Sequence, residues 1–133
     1  MRRDRARLSA AAARVEADLR RTTQRLWTCS VADDYTLHVS DGVLSEHVLL
    51  DPDVEDEDWF APPEASPAEI EEGLDADADE LLAGGVVEVM GALDVRWPVC
   101  EDHGQLMGAC SGWWYCNGEP EHDVAAVGSL QRG

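Results

Sequence analysis

The feature that most constrains how this chain can fold is a concentration of cysteine and histidine near its C-terminus. Three of the four cysteines lie within seventeen residues of one another, and two of the four histidines accompany them. Thiolates and imidazoles are the ligands of closed, tetrahedral zinc sites. The segment therefore predicts a small metal-binding unit. The residues concerned are Cys100, His103, Cys110, Cys116 and His122.

The first ligand pair is indicated by its spacing. Cys100 and His103 are separated by two residues and followed by Gly104. This arrangement is typical of a zinc knuckle, in which a tight turn directs two side chains at one ion and glycine allows a left-handed residue in the turn.

The second pair has to come from another turn brought alongside the first. Cys116 and His122 fit best, because the loop between them separates two strand-like runs. The alternative set takes Cys110 in place of His122. The sequence therefore predicts structural Zn²⁺ with the favoured ligands Cys100, His103, Cys116 and His122.

This pattern resembles the zinc-ribbon class, with one Cys-x2-His knuckle and a wider Cys-x5-His second turn. It also resembles short proteins of high-GC actinobacteria that end in similar elements, here Trp97–His103 and Trp114–Gly128. The resemblance covers about the last 35 residues. It implies zinc and a ribbon, and it implies no activity. Histidine stands for cysteine at two positions, and the second spacing is wide.

A catalytic zinc would need an open coordination position and a nearby general base. Glu101, Asp102 and Glu121 lie close in sequence, but the chain has 28 acidic residues, so their proximity is weak support. We therefore predict a closed site, no catalytic residues and no enzymatic activity.

Charge is distributed very unevenly along the chain. The net charge is −18, and all ten cations are arginine. Residues 1–25 carry eight arginines and three acids, whereas the remainder carries two arginines and 25 acids. A field of this sign repels nucleic acid and anionic membranes and attracts basic partners.

The N-terminal segment predicts a helix over residues 4–27. Apolar residues recur at spacings of three and four from Leu8 to Leu26, with most arginines off that stripe. The narrow, alanine-rich stripe is suited to packing on a sheet or on a second copy of the chain, so a homo-oligomer through this helix is one expectation. The arginines are expected to face the acidic part of the same chain.

A β-hairpin is predicted over residues 34–50. Apolar and polar residues alternate on both sides of Asp41-Gly42, a pair typical of a two-residue hairpin turn. His38 and His47 both lie in this hairpin. We interpret each as a strand surface residue, since no cysteine or second histidine stands at a ligand spacing beside it.

Residues 51–65 have the composition of an acidic linker. Within it, the pair Trp59-Phe60 either folds back onto the core or serves as an exposed anchor for a partner.

A second helix is predicted over residues 67–83. Ser66 and Glu69 form a capping box around Pro67, and Gly84-Gly85 supplies an expected end. The alternating apolar residues that follow predict a strand over 86–97.

Taken together, these patterns predict an α+β fold with an acidic body, residues 1–96, and a zinc-ribbon-like module, residues 97–133. No apolar run is long enough for a membrane span, and we expect a cytoplasmic protein. The predicted function is that of a non-enzymatic, zinc-stabilised protein that acts as an accessory or interaction component with a basic protein partner. The alternative is a nucleic-acid-binding regulator that uses the basic N-terminal helix and the ribbon.

Overall fold

The computed structural model describes residues 5–23, 25–50, 66–100, 103–110, 112–118 and 121–130. These residues form two helices and two three-stranded antiparallel sheets, which confirms the predicted α+β class. In chain order the elements are α1 (Arg5–Thr23), β1 (Thr28–Val31), β2 (Thr36–Ser40), β3 (Ser45–Leu49), α2 (Pro67–Ala92), β4 (Gly108–Cys110), β5 (Trp113–Cys116) and β6 (His122–Ala126).

The N-terminal sheet has the strand order β1-β2-β3, and it packs through one face on the two helices. Burial alternates along β1 and β2, as expected for a sheet with one covered face. The helix α1 turns its apolar stripe inward, and Leu8, Val15 and Leu19 are fully buried.

α1 is shorter than the predicted helix 4–27. The hydroxyls of Thr22 and Thr23 donate to backbone carbonyls four residues earlier, a pattern that competes with further helix. The chain then turns back as β1, a strand that the sequence analysis did not predict.

The hairpin over residues 34–50 is confirmed, but its turn is longer than predicted. Ser40 pairs with Ser45, so four residues connect β2 and β3. The carboxylate of Asp41 accepts hydrogen bonds from the backbone N–H groups of Val43 and Leu44, and Gly42 has a φ of +93°. An Asp side chain that caps its own turn explains why this loop closes with four residues.

The largest correction concerns α2. Ser66 caps its N-terminus as predicted, accepting from the Glu69 N–H. The helix does not end at Gly84-Gly85, however, and it continues to Ala92; the predicted strand over residues 86–97 is wrong. Val86, Val89 and Met90 are buried at helical spacing.

The reason lies in the close approach of α2 to the N-terminal sheet. A Cβ atom built on Gly85 would lie 3.0 Å from the Leu50 Cδ2 atom and 3.1 Å from the Leu37 Cδ2 atom. Glycine at this position therefore allows close helix–sheet packing, and it does not terminate the helix.

The C-terminal sheet has the order β4-β5-β6, with a bulge between Trp114 and Tyr115. It confirms the predicted C-terminal β element. Buried residues of this sheet and of the helices form one hydrophobic cluster, so the predicted parts 1–96 and 97–133 share a core.

The predicted acidic linker, residues 51–65, and its Trp59-Phe60 pair lie outside the described residues. Within the described part of the chain, neither helix combines the length and apolar character that a membrane crossing requires.

Candidate metal centre

The structure brings together the four residues that the sequence analysis favoured as ligands. One potential ligand atom from each of Cys100, His103, Cys116 and His122 lies within 4.8 Å of all the others. Both cysteines are buried, and both histidines are partly exposed.

The individual distances match the edges of a tetrahedral site. The Cys100 Sγ atom lies 3.6 Å from His103 Nδ1 and 3.7 Å from His122 Nε2. The Cys116 Sγ atom lies 3.3 Å from His103 Nδ1. With metal–sulfur and metal–nitrogen bonds of about 2.3 and 2.0–2.1 Å, sulfur and nitrogen ligands of one tetrahedral zinc ion are about 3.6 Å apart. The donor set and these distances therefore fit a metal ion with tetrahedral coordination.

A tight turn positions the first pair. The Gly104 N–H donates to the Cys100 carbonyl at 2.6 Å, and the Cys100 N–H donates to the Gln105 carbonyl at 2.8 Å. Gly104 has a φ of +66°, the left-handed conformation that the knuckle spacing requires. An isolated bridge between Val99 and Leu106 closes the base of this turn.

The second pair comes from the last two strands. Cys116 ends β5 and His122 begins β6, and the two residues are direct partners across the sheet. Antiparallel pairing thus explains how a spacing of six residues still places both side chains at one point.

Gly118 closes one side of the cluster. Its N–H donates to the Cys116 Sγ atom at 3.4 Å, a contact that stabilises a thiolate. A Cβ atom built at this position would lie 2.7 Å from His103 Cγ, so any side chain here would displace the imidazole. Sequence analysis did not single out this glycine, although its place two residues after a predicted ligand is a usable signal.

The other two cysteines lie outside the cluster. Cys110, the alternative ligand, is exposed on β4, while Cys29 is buried on β1. Burial raises the pKa of the Cys29 thiol to about 12, and the nearby Glu16 carboxylate adds to the rise. Cys29 is therefore a neutral core thiol, and no disulfide joins any of the four cysteines.

Of the three acids considered as a general base, only Glu121 is within the described residues. Hydrogen bonding to Glu121 raises the pKa of Tyr115, because a phenolate beside a carboxylate is disfavoured. Glu101 and Asp102 lie outside the described residues.

A buried carboxylate on α1 anchors the strands that carry the cluster. Asp18 is completely buried. One of its oxygens accepts from the Trp114 indole N–H at 2.8 Å and the Gly128 N–H at 2.7 Å. The other accepts from the Leu130 N–H at 2.9 Å and lies 3.2 Å from the Arg21 guanidinium.

The indole of Trp97 makes a second connection to α1. Its N–H donates to the Thr22 hydroxyl at 2.9 Å, and its ring packs edge-on against Trp114 with the centroids 5.2 Å apart. The cluster is thus joined to the body by specific polar contacts as well as by packing.

Comparison of the chain with protein-family models, curated proteins and solved structures gives no significant match, so family membership does not assign a role to this site.

Proposed function

We propose that this chain is a non-enzymatic accessory protein whose C-terminal fold is stabilised by a structural zinc ion and whose acidic surface meets a basic protein partner. The observation that carries the zinc assignment is the set of sulfur–nitrogen distances of 3.3–3.7 Å among the four clustered side chains. Two cysteines and two histidines complete a tetrahedron, which leaves no position for a substrate and favours a structural role over a catalytic one.

The arrangement of the four candidate ligands supports the proposed resemblance to zinc ribbons. A turn carrying Cys100 and His103 faces a strand pair carrying Cys116 and His122, and zinc would join these two units. Binding of the metal then contributes directly to folding, because the site does not exist in the unfolded chain.

The charge distribution supports a basic protein as partner. Each of the six described arginines between residues 5 and 25 lies within 4.0 Å of a carboxylate of the same chain. Glu16 and Asp18 lie on α1 itself, whereas the other four carboxylates belong to the acidic part of the chain after residue 25. Those four pairs agree with the prediction that the basic helix faces the acidic part of the same chain. With these six arginines so engaged and a net charge of −18, the outward field is that of the acids.

The same pairs argue against the alternative of a nucleic-acid-binding regulator. Phosphate contacts need arginine or lysine side chains directed at the backbone of the nucleic acid. Arg14 is instead engaged by Asp79 at 2.6 Å, and Arg7 by Asp75 at 2.6 Å.

The zinc proposal is tested by metal analysis of the untagged protein after purification without added metal. We expect one zinc ion per chain in the wild type and in Cys110→Ser, and a loss of metal in Cys100→Ser and Cys116→Ser. Gly118→Ala is expected to weaken zinc binding, whereas Gly108→Ala is the control, because no atom lies within 4 Å of its Cβ position. Stoichiometric zinc in both cysteine-to-serine variants would contradict the proposal.

The partner proposal is tested by affinity capture from extracts of the native cell. We expect basic proteins that dissociate as salt is raised to about 0.5 M, where charge attraction is screened within a few ångströms. Neutralising exposed acids of α2, in the double variant Glu72→Gln and Glu88→Gln, is expected to reduce retention. Retention that is insensitive to both salt and these substitutions would contradict a charge-based partner.

A further inference from the structure

The N-terminal hairpin places two histidines side by side on the outer face of its sheet. His38 on β2 and His47 on β3 are direct cross-strand partners. Both side chains are exposed, and their ring centroids lie 5.6 Å apart. The pair is remote in sequence from the Cys/His cluster and is not needed for the core.

The hydrogen-bonding pattern shows that the two histidines occupy a non-hydrogen-bonded position of the β2–β3 ladder. The Asp41 N–H donates to the Leu44 carbonyl, and the Leu50 N–H donates to the Tyr35 carbonyl. Because hydrogen-bonded pairs alternate along an antiparallel ladder, His38 and His47 fall on a non-hydrogen-bonded pair. Side chains at such pairs are the closest neighbours that a sheet provides.

The ring separation is suited to joint coordination of one ion. Two imidazoles bound to one tetrahedral ion at about 2.0–2.1 Å have centroids about 5 Å apart. The molecule offers its own comparison: His103 and His122 of the Cys/His cluster have centroids 5.2 Å apart. The His38–His47 pair, with centroids 5.6 Å apart, lies close to this separation.

The surroundings of the pair favour a bound cation. The Glu46 Oε1 atom accepts a hydrogen bond from the His47 backbone N–H at 3.0 Å and lies 3.7 Å from His47 Nδ1, so it adds negative charge beside the ring. On the other side of β2, the residue opposite His38 is the small Ser30, which leaves space above the sheet. The net charge of −18 raises the local concentration of divalent cations.

We propose that His38 and His47 form a second metal site, open to solvent and exchangeable, for a divalent transition ion that prefers imidazole, such as Ni²⁺, Cu²⁺ or Zn²⁺. Imidazole suits these ions, and carboxylate-preferring Mg²⁺ and Ca²⁺ are not expected to bind here. Two protein ligands leave the remaining coordination positions to water or to a ligand from another molecule. Glu46 contributes negative charge beside this site.

The test is calorimetric titration of the untagged, zinc-loaded protein with Ni²⁺. We expect one equivalent of Ni²⁺ to bind beyond the zinc, and His38→Asn and His47→Asn each to weaken that binding by about tenfold or more, since either change removes the chelate. Ser45→Asn on the same face is the matched control and is expected to bind as the wild type does. Glu46→Gln is expected to weaken binding by a smaller factor.

Two results would overturn the proposal. One is nickel binding that is unchanged in both histidine variants, and the other is a wild type that binds no nickel. Displacement of zinc from the cysteines would be seen separately as thiolate-to-nickel absorption, so failure at His38–His47 is distinguishable from failure of the Cys/His cluster to hold zinc.

Discussion

The two sheets of this protein have the same size and the same strand order, yet different interactions stabilise them. The N-terminal sheet presents a regular apolar face to the helices, with Cys29, Val31, Leu37 and Val39 buried in β1 and β2. In the C-terminal sheet, β4 and β6 contain no fully buried residue, and only Trp114 and Cys116 of β5 are buried.

The difference shows how a sheet with little apolar surface can still be fixed in place. Burial of apolar side chains contributes about 1.5–3 kcal/mol each, and the C-terminal strands provide few such groups. We therefore expect their position to depend also on the Asp18 carboxylate and on the proposed zinc ion.

The largest expected effect comes from removing the metal. With a strong chelator, we expect the amides of β5 and β6 to lose hydrogen-exchange protection while those of β2 keep most of theirs. The loss is expected to reach several kcal/mol, because zinc contributes on the order of 10 kcal/mol to folding of small zinc domains. Hydrogen exchange read by NMR would measure both sheets in one sample.

Two outcomes would contradict the expected difference in metal dependence between the two sheets. Equal loss of protection in β2 and β5 would mean that the two sheets form one cooperative unit. Full protection of β5 without metal would mean that packing and Asp18 suffice.

The next largest effect is expected from Asp18→Asn. The substitution leaves one amide N–H₂ group facing buried donors and removes the charge that meets Arg21. We expect a destabilisation of about 3–5 kcal/mol in urea unfolding, as for other broken buried charge networks. Asp75→Asn is the matched control: its carboxylate is about half exposed, and its pair with Arg7 is worth about 1 kcal/mol or less. Similar losses in both variants would contradict a special role for Asp18.

On the N-terminal side, substitutions of the two adjacent glycines of α2 distinguish the effect of helix propensity on stability from the effect of helix–sheet packing. Gly84 has no atom within 4 Å of its Cβ position, so Gly84→Ala is expected to stabilise by about 0.5–1 kcal/mol. Gly85→Leu is expected to destabilise by about 1–3 kcal/mol, because its side chain would overlap Leu37 and Leu50. Thermal unfolding measures both. A destabilising Gly84→Ala would indicate that the helix ends there after all.

The smallest effect concerns the hairpin loop. Backbone hydrogen bonds from Leu44 and Val43 lower the pKa of Asp41 below that of an ordinary aspartate. The folded state therefore binds this proton less tightly than the unfolded state does. The contribution of the loop to stability is fully present above the pKa of Asp41 in the unfolded chain, and it is lost as the pH falls through the lowered pKa of the folded state.

Asp41→Asn is expected to remove this contribution to the acid dependence of the melting temperature while keeping an oxygen acceptor in the loop. An unchanged acid profile would show that the loop cap does not titrate on unfolding.

Much of the fold and of the site could be predicted because the signals are local. The capping box at Ser66, the alternation on β2 and the Cys-x2-His spacing each specify a short piece of structure. Cys116 and His122 were predictable as a pair because a loop separates two strand-like runs.

Other features depend on contacts that sequence does not display. Gly85 resembles a helix terminator unless the approach of Leu37 and Leu50 is known. Asp18 is one of 28 acids, and nothing local marks it as buried.

The sequence analysis did not predict that His38 and His47 face each other across the strands, because it assumed a two-residue turn. A two-residue turn at Asp41-Gly42 would pair His38 with Ser45, whereas the observed four-residue loop pairs it with His47.

The contacts of Asp18 also bear on how the chain acquires its structure during synthesis. Its amide donors at Gly128 and Leu130 follow it by 110 and 112 residues. On the ribosome, α1 therefore emerges long before these two amide donors of its inward-facing carboxylate, and only Arg21 is already beside it. Contacts of such large sequence separation form late and slow folding. We therefore expect α1 to complete its packing only after the segment that follows β6 has been translated.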